Sequence, residues 1–475
     1  MKAFFKKIKN IFFGNSVTQR LFQGYLIALI VGTLLLLLPF ASVKGAPKIS
    51  FVDSLFLSAS ACSDTGLTTL QLSSQFNFFG QLIVLILVQI GGIGILTLKI
   101  LFFLFIGKKI KLKERLFGAS ERGSGKLGGS VDLIKTSIAV IFITEIVASI
   151  LVGLRLYFVP EYREMFDSIP QLMWVSFFHG VSSVNNAGFD IFPVVNGSSS
   201  MSLFSSDYYM QIITIICLII GGIGFPIFYD IKKWIKAKRK KEVYHLSLFT
   251  KFSLKSYFIV GFVGFILVVA SELLAGSEGF LFTKGISTGD KIFALIFQTA
   301  STRNAGFATV DMNVFHPSTI FLFTLLMCIG ASPSSTGGGL RCTTFFLVLY
   351  LIKSVATGAD RVETCKRTIP KKTVDKALSV FITSLVLVLF GTLLLLLVNK
   401  KTFGMTEVLF EVGSAFGTTG LSMGITAQLN VVSKLILIFI MFVGYVGIST
   451  SLLIWTDKKV AKNLRTLPEE DVTIG

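Results

Sequence analysis

The chain is short of charge and of the residues that do covalent chemistry. Only 15% of its 475 residues are charged, against roughly 25% in ordinary soluble proteins. Five cysteines, Cys62, Cys217, Cys328, Cys342 and Cys365, are scattered with no C-x-x-C pair, which speaks against a disulfide framework or a thiolate zinc site. The three histidines, His179, His245 and His316, lie far apart, and no serine, histidine and acid gather into a hydrolytic set. No nucleotide-binding motif of the G-x-G-x-x-G or G-x-x-x-x-G-K-[ST] kind is read in the chain. A membrane enzyme is therefore the weakest functional class, with no metal ligands and no catalytic residues to carry it.

What is abundant is apolar: 52% of the residues are hydrophobic, in long runs broken by short polar links. The net charge of +19 sits in those links rather than on an amphipathic surface, which excludes nucleic acid and reads as membrane orientation and contact with anionic lipid. The run from Leu21 to Phe40 is long enough to span roughly 30 Å of hydrocarbon. It reads as a first transmembrane helix rather than a cleaved leader.

A fourfold internal repeat organises the chain. Each unit has a long apolar helix, a short helix too brief to span, a glycine-centred polar dip and a second apolar helix. The units run over 19–106, 131–231, 251–353 and 372–455, between cytoplasmic end segments 1–18 and 456–475. The dips read SASACSDTGLTTL, HGVSSVNNAGFDI, FQTASTRNAGFAT and EVGSAFGTTGLSM, centred on Gly66, Gly188, Gly306 and Gly420. Preceding helices such as VDSLFLSASA and IFALIFQTAS reach only about 15 Å, so they must enter and turn back. The later helices align at VQIGGIG, LIIGGIG, MCIGASP and MFVGYVG. Lysine and arginine cluster on one side, around Lys6, Lys108, Lys236, Lys372 and Lys459, while 190–207 and 308–317 are nearly free of them. The expected fold is an all-α integral membrane protein with four M1-P-M2 pseudo-repeats, eight transmembrane helices and four re-entrant pore helices around one central pore. It resembles a K+ channel in plan, sits in the cell membrane, and has both termini in the cytoplasm.

Irregular backbone at membrane depth persists where protein buries it or where it lines a water-filled path. An extended segment at the C-terminal end of a half-helix points carbonyl oxygens inward, where the helix's partial negative end favours a cation. Glycine admits the backbone angles this needs and leaves no Cβ in the path. The implied chemistry is replacement of a cation's water by oxygen ligands, with no bond broken.

NNAGF, RNAGF and FGTTGLSMG, set in four such units, resemble the Trk/Ktr/HKT superfamily of potassium transporters over nearly the whole chain. A first span near residue 20 leaves no room for the extra N-terminal helix pair of Trk-type subunits, so the membrane subunit of Ktr systems is the nearest likeness. The resemblance implies K+ held by backbone oxygens around Asp64 and Thr65, Asn186 and Ala187, Asn304 and Ala305, and Thr418 and Thr419. One glycine follows each pair. Serine at the first glycine accompanies sodium preference in the plant branch; here it is Gly66, which favours potassium. The resemblance further implies a homodimer on a cytosolic nucleotide-binding regulatory ring, a tail TLPEEDVTIG at the dimer interface, no covalent cofactor, K+ as cargo and Na+ as a modulator. Two positions depart from the family: Asp64 replaces a small apolar residue, and Tyr445 stands where relatives have an arginine below the filter. Asp64 either adds cation affinity or turns away to bond backbone donors, and Tyr445 is placed to stack or hydrogen-bond across the pore. Channel-like uptake and a K+ symporter coupled to Na+ or H+ by alternating access both remain open.

The third unit differs in its second helix, IGASPSSTGGGLRCTT. Pro333 removes a donor, and Gly337, Gly338 and Gly339 leave the backbone unheld. Gly330, Ala331, Ser332, Pro333, Ser334, Ser335, Thr336, Gly337, Gly338, Gly339 and Arg341 are read as an intramembrane loop under the filter, its polar groups turned to pore water. This loop resembles the family's gating loop, and the other three units are expected to hold the path open. Arg341 either anchors the loop through a carboxylate or helix end or faces a wet vestibule. Glu145 and Glu272 are read as helix-end residues in interfacial water.

Overall fold

A computed structural model describes residues 17–94, 97–98, 130–193, 200–399, 402–448 and 450–451. The end segments, the basic link after the first unit, the last residues of the first and fourth units, and the stretches 194–199 and 400–401 lie outside the described residues. The first unit holds α1 (Val17–Leu36), α2 (Phe51–Cys62) and α3 (Phe78–Ile93). The second holds α4 (Ser130–Phe158), α5 (Ile169–Val184), α6 (Tyr208–Gly222) and α7 (Phe225–Arg239). The third holds α8 (Leu248–Leu274), α9 (Thr288–Ser301), α10 (Pro317–Cys328) and α11 (Cys342–Ala356), and the fourth α12 (Lys371–Asn399), α13 (Met405–Gly417) and α14 (Val431–Val446).

The layers are sorted by what surrounds them. Along α4 and α12, residues such as Ile143, Ile150, Leu385 and Leu389 are more than half exposed, a face that only hydrocarbon would cover. The short helices α2, α5, α9 and α13 lie inside, with Phe56, Phe178, Phe297 and Phe410 wholly buried. Polar side chains start them: Ser50, Ser168 and Ser287 each accept from a first-turn amide of α2, α5 and α9. Asn77, Asp207 and Asn430 do the same for α3, α6 and α14, satisfying donors the helix cannot.

Among the described residues, α1, α4, α8 and α12 are long and apolar enough to cross a membrane, and a fifth span arises if α6 and α7, bent by 90°, count as one. The second helices are shorter for one local reason. Gly94, Gly224 and Gly447 stand at φ 82°, 93° and 84° with extended ψ, a combination natural only to glycine. Each interrupts its helix at the last glycine of the aligned GGIG, GGIG and GYVG. The third unit has Pro333 there. The loop is thus the longest of four interruptions among the described residues, so the third unit differs from the others in the length of its break and not in having one. The chain is also not purely helical: β1 (Ile329–Gly330) pairs in parallel with β2 (Leu340–Arg341), clasping the loop at its neck. A small hairpin, β3 (Glu363–Thr364) and β4 (Arg367–Thr368), follows α11.

Candidate ion-binding site

Each short helix ends the same way. Asp64, Asn186, Asn304 and Thr418 take left-handed backbone at φ 48°, 57°, 78° and 48°, the usual way of stopping a helix. The next residue's amide turns back: Thr65 donates to the Ser60 carbonyl, Ala187 to Ser182, Ala305 to Ser301 and Thr419 to Ser414, all at 2.8–2.9 Å. Four glycines at φ 91°, 70°, 77° and 96° then carry the chain away.

These segments close a ring. A methyl built on Gly66 would lie 2.6 Å from the Ala187 carbonyl oxygen, on Gly188 2.8 Å from Ala305's, on Gly306 2.3 Å from Thr419's, and on Gly420 2.2 Å from Thr65's. The order runs first to second to third to fourth and back to first, so the four glycines and the carbonyls of Thr65, Ala187, Ala305 and Thr419 stand around one point. No side chain but hydrogen fits at any of the four glycines. Above the ring, Gly66, Gly188, Gly306, Thr68, Thr69 and Asp190 border an open cavity of about 370 Å³.

The small residues of the second helices serve this ring. A methyl on Gly91 would lie 2.6 Å from the Asp64 carboxylate, on Gly221 3.0 Å from Asn186 Oδ1, on Gly337 2.6 Å from Asn304 Cβ, and on Gly338 2.5 Å from Thr418 Cγ2. The left-handed residues therefore tuck their side chains behind the ring, into space that glycine leaves. Asp64 turns away as one expectation held, yet it finds no donor there.

The loop from Gly330 to Gly339 is laced to its neighbours. Ser332 and Thr336 donate backbone amides to Gly222 and Gly221 of α6 at 3.0 and 3.3 Å, and the Phe225 amide donates to the Ser334 carbonyl. On the other side the Gly339 amide reaches Gly444 of α14 at 3.1 Å, and the Gly338 amide reaches Thr418 Oγ1 at 2.8 Å. The amides of Ser332, Thr336, Gly338 and Gly339 thus meet protein oxygens, where the expectation was pore water. Arg341 donates to the Gly337 carbonyl and, at 3.4 Å, to Ser335 Oγ; it holds the loop from within and pairs with no carboxylate among the described residues. Tyr445 donates to the Gly91 carbonyl at 2.9 Å, and its ring lies 5.9 Å from Tyr25's. It ties the fourth unit to the first.

One residue escaped sequence reasoning, and two acidic residues lie in surroundings other than those read for them. Arg303, inside the RNAGF motif, is buried and donates to the Ile329 and Gly330 carbonyls at the loop's neck; a charge at membrane depth was the signal. Glu145 sits mid-helix in α4, buried, accepting from Asn185 at 2.8 Å, so its assignment to a helix end is corrected. Glu272 does end α8 but is buried, taking backbone amides of Phe280 and His316. The run GSGKLG at 123–128 does have the G-x-G-x-x-G spacing, which corrects the reading that the chain carries no such motif; it lies outside the described residues.

Comparison with known proteins gives one consistent likeness. The profile of a family described as TrkH, cation transport protein, matches residues 23–462. The Ktr system potassium uptake protein D of Bacillus subtilis is 37% identical over 463 residues, covering 97% of both chains. The potassium/sodium uptake protein NtpJ of Enterococcus hirae is 32% identical over 465 residues, again covering 97% of both. The crystal structure of the potassium transporter TrkH from Vibrio parahaemolyticus superposes with a TM-score of 0.68 at 19% identity, over 94% of this chain and 86% of that one, a likeness of fold.

Proposed function

The chain belongs to the TrkH family of cation transport proteins, and from that premise we propose that it is the potassium-translocating subunit of a Ktr-type uptake system in the cell membrane. K+ passes through four M1-P-M2 units, its water replaced by the carbonyls of Thr65, Ala187, Ala305 and Thr419 and their neighbours. The observation that carries this reading is the cyclic approach of each glycine to the next unit's carbonyl. Four carbonyl dipoles fixed around one point, with no side chain in the way, suit a monovalent cation stripped of its hydration shell. The intramembrane loop from Gly330 to Arg341 gates the path below. The subunit works as a homodimer, with both termini cytoplasmic, a cytosolic nucleotide-binding partner and Na+ as modulator.

Growth of a potassium-uptake-deficient bacterium in low K+ tests the reading. The chain should restore growth, and Gly66→Ser and Gly306→Ser should each lose K+ preference over Na+, because any Cβ there meets a carbonyl oxygen at 2.3–2.6 Å. Both variants transporting like the parent, with unchanged preference, would sink the filter assignment.

A further inference from the structure

Asp64 is unlike every other buried carboxyl group among the described residues. Glu145, Asp207, Asp230, Glu272 and Glu411 each accept at least one hydrogen bond. Asp64 has no exposed surface and no partner for either carboxylate oxygen. An isolated buried carboxylate is among the costliest groups a protein can hold, so Asp64 either keeps its proton or takes a counter-ion from outside the chain's own side chains.

The equivalent positions show what surrounds it. The Asn304 amide donates to the carbonyls of Gly417 and Gly338. Asn186, with its amide nitrogen turned inward, meets the carbonyls of Ser183 at 3.1 Å and Leu218 at 3.3 Å. By the register of the repeat, the corresponding carbonyls in the first unit are those of Ala61 and Val88. Asparagine brings donors to a pocket of acceptors, whereas aspartate adds two more oxygens. Oxygens without a donor are what a hard cation coordinates, and Asp64 is one peptide bond from the Thr65 carbonyl of the ring.

We propose that Asp64 is a fixed negative charge behind the first filter segment that takes an alkali cation as its counter-ion and so sets the ring's affinity for the permeating ion. This rests on the cation-pore reading above. One unit charge several ångströms from the ion, at an effective dielectric of about 20, changes binding by a factor on the order of ten to a hundred. It acts on Na+ and K+ alike, so the ratio between them stays with the carbonyls.

The test is K+ and Na+ flux against ion concentration for the full chain in lipid vesicles, comparing the parent with Asp64→Asn and Asn186→Asp. Asparagine already serves at two equivalent positions, so Asp64→Asn should fold. Its half-saturating K+ concentration should rise about tenfold or more with the K+/Na+ ratio kept. Asn186→Asp adds a second charge and should move half-saturation the opposite way. Unchanged half-saturation in a folded Asp64→Asn would show that the group carries no charge in place and overturn the proposal. Should Asp64→Asn fail to fold, an Asn186→Asp protein that binds K+ no tighter overturns it instead. A parent that passes no K+ would remove the pore reading itself, and this inference with it.

Discussion

Arg303 brings a charge into the protein interior and applies it to two carbonyls at the neck of the loop, with its guanidinium 5.1 Å from the Tyr257 ring centre. The planar fork explains the choice of residue: lysine would keep the charge but could not address both oxygens in one plane. Losing one hydrogen bond from a charged donor costs about 1.5–3 kcal/mol. Arg303→Lys is therefore expected to lower the unfolding temperature and, by loosening the Ile329–Gly330 strand, to raise resting K+ flux in vesicles. A variant with the parent's melting curve and flux would show that the two carbonyls need no such clamp. Asp64, Asn186, Asn304 and Thr418 were identifiable as a set from the repeat, but the direction of their side chains was not. That direction depends on Gly91, Gly221, Gly337 and Gly338, which are distant in sequence and face them only after folding.

Among the elements, the broken second helices matter most. Gly224 sits between α6 and α7 at φ 93°, and a methyl there would lie 2.6 Å from the Pro333 carbonyl. Gly224→Ala is thus strained in its backbone and collides with the loop. Gly261, inside α8, has nothing within 4 Å of an added methyl, and alanine there should stabilise by roughly 0.4–1 kcal/mol. The pair makes an internally controlled measurement: Gly224→Ala should melt lower and alter flux, and Gly261→Ala should melt at or above the parent with flux unchanged. Equal behaviour would remove the bend from any role at the loop. The positions of helices and dips could be read from apolar runs and punctuating glycines. Their interruption in all four units could not, because a lone glycine inside a helical pattern is compatible with either continuing or stopping. Only in the third unit did Pro333 and the three glycines after it announce a break.

At the scale of the molecule, the ring needs its last unit to meet its first, and that seam carries its own bonds. Tyr445 reaches Gly91, and Lys434 in the first turn of α14 pairs with Asp53 in the first turn of α2 at 2.7 Å. Burial pushes the Asp53 carboxyl up, but hydrogen bonds from Lys434 and Ser50 outweigh it and leave the group below its ordinary value. A carboxyl held low in the folded state contributes stability above its unfolded value, near 3.9, and loses it as pH falls through the folded value. Below about pH 4 the parent should therefore lose thermal stability more steeply than Asp53→Asn in detergent, and parallel curves would show the seam to be indifferent to this pair. The repeat was legible because its glycine-centred dip is written four times in the sequence. The seam was not, since Asp53 and Lys434 are 381 residues apart and nothing local marks them as partners.

Having all four ring segments in one polypeptide also changes how the pore responds to mutation. In a ring assembled from four identical chains, any substitution at the filter arrives in four copies at once, and most such changes are ruinous. Here a single codon alters one quarter of the ring and leaves three quarters to hold its geometry. Aspartate can occupy one left-handed position while asparagine and threonine keep the others, and a proline can lengthen one interruption without touching the other three. The single-chain ring is thus open to stepwise drift in ion preference, each step small enough for the pore to survive it.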